Sequence, residues 1–145
     1  MVVLASEDVG NADPNALTVA VSTAHAVEHV GMPECAINLG QAAVYLALAP
    51  KSNASYQGLR RAQEWVRENG PVLPPGPLQS AAYPGARKLG RGRGYDYPHD
   101  RPEGVSPQEL MPPEAEGESF LELSEHGAER ELRERLERIR RARGH

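Results

Sequence analysis

Between Arg87 and Tyr97 the sequence reads RKLGRGRGYDY, in which four cations (Arg87, Lys88, Arg91 and Arg93) alternate with glycines and lead into Tyr95 and Tyr97. Cations reach phosphates, aromatic faces stack on bases, and closely spaced glycines let a backbone approach its ligand. These six side chains are therefore the candidate DNA-binding residues. A second reading of the same loop pairs its arginines with acidic surfaces, because residues 1–50 hold five Asp and Glu and no Lys or Arg. The glycine pattern is G-x-G-x-G. It lacks both the G-x-G-x-x-G spacing and the preceding strand of a dinucleotide site.

The other reactive side chains read more simply. His25-Ala26-Val27-Glu28-His29 fits H-x-x-E-H, two histidines one helical turn apart beside a glutamate, as in zinc hydrolases. No third ligand accompanies it, so the pair is read as solvated and no metal site is expected. His99-Asp100 looks like an orienting pair without a nucleophile and reads as a turn. Asn53-Ala54-Ser55 is a helix cap rather than a glycosylation acceptor, since no secretion signal precedes it. Cys35 is alone, which excludes an intramolecular disulfide and leaves a buried, inert thiol.

A P-loop requires Gly-Lys-Ser/Thr at the end of a glycine-rich turn. The chain has two lysines, Lys51 and Lys88, and neither follows a glycine. The chain is thus not expected to hydrolyse ATP, and no cofactor is assigned to it.

The elements that must position these residues are helical. Gly10 reads as the residue closing a helix over Val2 to Asp8, and Asp13 as the N-cap of the next, with Pro14 at N1. That helix places Leu17, Val21, Ala24, Val27 and Val30 on one stripe before Gly31 ends it. Another starts at Pro33, is apolar all round from Ala42 to Ala49, and stops at Pro50, which predicts a central position. The next starts near Ser52 or Asn53, presents Tyr56, Leu59, Ala62 or Gln63 and Val66, and stops at Gly70. Together they predict an all-α antiparallel bundle.

After Gly70 the periodicity fails. PVLPPGP sustains neither helix nor central strand, and from Tyr83 to Gly117 the only helical signal is Ser106 before Pro107. Tyr83, Tyr95, Tyr97 and Phe120 are expected to staple this irregular stretch onto the bundle. The last helix, from Gly127 to Arg143, carries Ala128, Leu132, Leu136 and Ile139 on a narrow stripe among seven arginines and four glutamates. The expected organisation is one domain over 1–145: a helical core at 1–70, an irregular wrapping segment at 71–125 and a C-terminal helix at 126–145. The 13 prolines and 14 glycines lie mostly in the second half, so the core must come from the first. No run reaches the roughly 18 apolar residues of a membrane span. A soluble, cytoplasmic protein without a membrane partner is the expectation.

Several segments in order, SEDVGNADP, ALTVAVS, VGMPE, LALAPKSNASY, YPGARKLGRGRGYDYPHD and the charged final helix, resemble the C-terminal part of the replication-associated recombination protein A family. These RarA or MgsA proteins, with the Werner helicase-interacting protein as eukaryotic relative, are AAA+ ATPases. The resemblance implies a collar-like helical domain, as in clamp loaders, that assembles a homotetramer. It implies an ATPase module upstream of Met1 that holds ATP and Mg, and action in DNA replication, recombination and repair at stalled forks. Single-strand binding protein and the replication machinery are the partners it implies. The alternative function is a DNA-binding module using the basic loop and the arginine-rich final helix.

Overall fold

The computed structural model describes residues 1–144, except the side chain of Arg87. It contains five α-helices, α1 (Val2–Leu4), α2 (Asn15–Val30), α3 (Cys35–Leu48), α4 (Ala54–Asn69) and α5 (Glu129–Arg143), and no strand forms among the described residues. Short 3-10 turns punctuate the segment between α4 and α5. Two compact units result, one from Met1–Ala62 with Phe120–Glu134, the other from Gln63–Ser119 with Arg135–His145.

In the first unit, α1 widens into a π-helical turn at Ala5–Val9, closed by the Gly10 amide donating to Ala5 O. Gly10 takes φ +54°, and a Cβ there would lie 2.6 Å from Ser52 O, so only glycine fits. The expected unbroken helix to Asp8 is thus replaced by a wider turn that brings Val9 O within 3.2 Å of the Ser52 amide. Asp13 then has extended geometry and its Oδ1 accepts from the Asn15 amide at 3.0 Å, which caps α2. Its Oδ2 accepts from the Tyr45 hydroxyl of α3 at 2.8 Å, and this bond raises the tyrosine pKa above its usual value.

Helices α2 and α3 make the main helix pair, and the core is small. Ala5, Val9, Ala16, Ala20, Leu46 and Ala49 form one buried cluster. The α2 stripe is therefore displaced by one residue from the expected one: Ala16, Ala20 and Thr23 are buried, while Leu17, Val21 and Val30 are exposed. Alanine lets the two helices approach closely, and larger side chains at those positions would hold them apart. Helix α3 is not central either. Its buried residues are Cys35, Ala42 and Leu46, whereas Ile37 (78% exposed), Val44 and Leu48 (80%) face outward.

Proline 50 ends α3 by forcing Ala49 into extended geometry. Lys51 then folds back, and its ammonium donates to the carbonyls of Leu46 (2.9 Å), Ala47 and Ala49, which α3 leaves without helical partners. Ser52 Oγ accepts from the Ala54 amide and caps α4. The start of α5 is pinned by Ala128 N–H donating to Ala12 O at 2.8 Å.

Candidate functional site

In the second unit the basic loop is folded on itself rather than open. Gly90, Gly92 and Gly94 all take positive φ, of 75°, 69° and 76°. The amides between them are already spent: Arg91 N–H on Ala86 O, Gly92 N–H on Gly76 O and Arg93 N–H on Gly90 O. Glycine here serves the turn, not the approach of backbone to a ligand. Contact with a ligand falls to the side chains. Lys88 and Arg93 are exposed, and Arg91 packs its guanidinium 5.5 Å from the centroid of Tyr83. Arg87 is in the 3-10 turn Ala86–Leu89, but its side chain is outside the described residues.

The chain then extends, with Tyr97 at φ −74°, ψ 114°. Tyr95 and Tyr97 stand at alternate positions of this irregular chain, and His99 follows within the 3-10 turn Pro98–Asp100. Tyr95 and Tyr97 lie 6.4 Å apart between centroids, and Tyr97 and His99 5.0 Å apart. The tyrosines are half exposed, at 50% and 51%. Tyr83 is also exposed, so the three tyrosines are not buried staples; their rings stay open to solvent. Phe120 belongs to the first unit, where its carbonyl accepts from Arg61 Nε at 2.9 Å.

Between the rings, Asp96 is the anchor. Its carboxylate takes Arg101 Nε and Nη2 in a two-point pair at 2.9–3.1 Å and the Ser106 hydroxyl at 2.5 Å. Hydrogen bonds from Arg101, then from Ser106, hold its pKa below the ordinary aspartate value. The Asp96 amide donates to Gln108 Oε1, and Gln108 O accepts from Arg143 Nη2 of α5 at 2.8 Å. Gln108 thus ties the ring-bearing segment to the arginine-rich end of the last helix. Ser106 also accepts from the Gln108 amide, as a cap would, although no helical turn follows Pro107.

The sequence picks out Lys88, Arg91, Arg93, Tyr95 and Tyr97, and all five lie in this unit. Its reading of His99-Asp100 as a turn agrees with the 3-10 turn Pro98–Asp100, and it does not pick out Asp96, Arg101 or Gln108. The Asp96 anchor has no signature, because Ser106 reaches it across ten residues of irregular chain.

The first unit holds a cleft of about 840 Å³ whose lining includes Asp8, Lys51, Ser52, Arg61, Glu122 and His126. Acids offset its cations, and Lys51 and Arg61 Nε are already committed to carbonyls. His25, Glu28 and His29 are exposed on α2. Among the described residues no cluster of three or more His, Cys, Asp or Glu could hold a metal ion. Cys35 is fully buried, with Sγ 3.2 Å from Met32 Sδ. No helix among the described residues is long and apolar enough to cross a membrane.

A family model described as MgsA AAA+ ATPase C terminal matches residues 1–140. An uncharacterized protein of Thermotoga maritima is 45% identical over 139 residues, covering 96% of this chain and 22% of the relative. An uncharacterized AAA domain-containing protein of Mycobacterium tuberculosis is 41% identical over 140 residues, covering 97% and 31%. Replication-associated recombination protein A of Haemophilus influenzae is 36% identical over 141 residues, covering 97% and 32%. The chain therefore spans between 22% and 32% of the length of these relatives.

Proposed function

We propose, because the chain belongs to the MgsA AAA+ ATPase C-terminal family, that its α2–α3 face is an assembly surface joining copies of the chain into a homotetramer. One observation carries this reading. Ile37, Gln41, Val44 and Leu48 stand at spacings of four, three and four along α3, the seam by which one helix packs on another, and all four are exposed. Each large aliphatic side chain gains roughly 1.5–3 kcal/mol when fully buried, so leaving three in water is a cost that a second copy removes. Beside the seam, Asp13, Gln41, Val44, Tyr45, Leu48 and Ala49 line a hollow of about 430 Å³ that can receive a side chain from a neighbour.

Charge supports the same reading. The five acids of residues 1–50 complement the five bases set against two acids over Arg87 to Arg101, so one copy attracts another in register. The fold count of four comes from the resemblance to RarA proteins. In the wider protein, the assembled domain would carry ATPase modules that bind ATP and Mg and act in DNA replication and recombination at stalled forks. The Haemophilus influenzae relative, a replication-associated recombination protein A, supports the replication and recombination setting.

Light scattering over a range of concentrations, at low and moderate salt, tests the assembly. A mass near four times 15.7 kDa is expected, weakening when Leu48 is replaced by Glu. A monomer at every concentration overturns the reading.

A further inference from the structure

We infer that Met32 is a reversible oxidation site, whose thioether is converted by peroxide to predominantly one of its two sulfoxide epimers because the Cys35 thiol covers one face of the sulfur. Met32 lies in the turn between α2 and α3 and, at 72%, is the most exposed of the three methionines, Met1, Met32 and Met111. Cys35 is fully buried. Oxidant therefore meets the methionine, and the thiol is a neighbour of the reaction rather than the reacting group.

The turn supplies the handedness. The Gly31 amide donates to Val27 O at 3.1 Å and the Cys35 amide to Gly31 O at 2.9 Å, which ties the end of α2 to the first residue of α3. With its backbone tied and its side chain buried, Cys35 holds its Sγ in place, and the S–H donates to Met32 Sδ at 3.2 Å. A thioether sulfur carries two lone pairs, one on each side of its C–S–C plane. The thiol occupies one side and leaves the other open.

The step balances with hydrogen peroxide as the only co-reactant. The open lone pair attacks one peroxide oxygen, the O–O bond breaks as the S–O bond forms, and a proton passes through solvent to the departing hydroxide, which leaves as water. The sulfur loses two electrons and the peroxide gains them. The new oxygen makes the sulfur a chiral centre, so the open face decides which epimer forms. Each methionine sulfoxide reductase acts on one epimer, and the enzyme that restores Met32 is accordingly of a single handedness. Met32 stands outside the seam of Ile37, Val44 and Leu48, so this inference does not depend on the assembly reading.

The test treats the full chain with a limiting amount of hydrogen peroxide, digests it, and divides the peptides between two sulfoxide reductases, one for each epimer, before mass spectrometry. Met32 should oxidise faster than Met111. One reductase should clear roughly 2- to 5-fold more of the Met32 sulfoxide than the other, the selectivity that one weak hydrogen bond supports. The wild-type chain oxidised in urea, where the turn is lost, should give the two epimers in equal amounts, and folded Cys35→Ala should do the same. If Cys35→Ala fails to fold, the comparison of folded with urea-unfolded wild type carries the result. Equal epimers in the folded wild type, an excess that persists in urea or in folded Cys35→Ala, or oxidation of Met32 no faster than Met111 overturns the inference.

Discussion

The Ser52 hydroxyl donates to Glu129 Oε2 at 2.7 Å, across 77 residues of chain, and the same oxygen accepts from the Ser124 amide at 2.8 Å. Glu129 is fully buried at the first residue of α5. One carboxylate oxygen thereby joins the cap of α4, the irregular segment preceding α5 and α5 itself. The other oxygen, Oε1, is buried without a partner, so the arrangement depends on the two donors it has.

Replacing Glu129 with Ala should cost about 2–4 kcal/mol, because the Ser52 hydroxyl and Ser124 amide both lose their acceptor in a buried place. Glu129→Gln keeps an acceptor oxygen and should cost less than half as much. Urea denaturation of the two variants checks the order. Equal stability of Glu129→Ala and the wild type would show that the carboxylate is incidental.

Gly127 is the second joint of the same unit. It takes φ +52°, and a Cβ there would overlap the Ala12 carbonyl oxygen and lie 2.7 Å from Pro50 Cγ. Gly127→Ala combines backbone strain with a clash against main chain, and should cost about 3 kcal/mol or more. Gly117→Ala also has positive φ, but a Cβ there meets nothing within 4 Å. It should cost about 1–2 kcal/mol, since only the backbone term applies. The difference between the two midpoints in urea isolates the clash.

Acid should loosen the ring-bearing segment. Asp96 has its folded pKa lowered by Arg101 and Ser106. Its contribution is therefore complete above the unfolded aspartate pKa, near 3.9, and is lost as pH falls through the lower folded value. The loss of the Asp96 bonds should appear in NMR as a change in the backbone amide signals of Asp96 and Gln108, which it holds in place, only below about pH 4. Arg101→Gln should shift that change to higher pH. A profile identical in the two proteins would remove Asp96 as the anchor.

Much of the helical frame is legible in the sequence because its ends are fixed by local chemistry. Asp13, Gly31, Ser52 and Gly70 each act at a terminus within a residue or two of where the pattern places it. Which face is buried is not legible by hydrophobicity. A stripe through Leu17 and Val21 outranks one through Ala16 and Ala20 on any apolar scale, yet close approach of α2 to α3 selects the smaller residues. The same bias makes α3 look central, since an outward seam and an inward core use the same residue types. In the irregular segment, burial of Tyr83, Tyr95 and Tyr97 follows from their size alone and fails. Order there comes from Asp96, Arg101, Ser106 and Gln108, polar bonds without a period.

The fold-back of Lys51 separates the chain's two lysines as chemical handles. All three hydrogens of an ammonium can be engaged by the three carbonyls at the end of α3, whereas Lys88 stands in solvent beside the glycine-rich loop. An amine-reactive dye or crosslinker applied sparingly should therefore favour Lys88 over Lys51. Without any engineering, the sequence supplies a reporter position seven residues before Tyr95 and leaves the helical unit unlabelled at its own lysine.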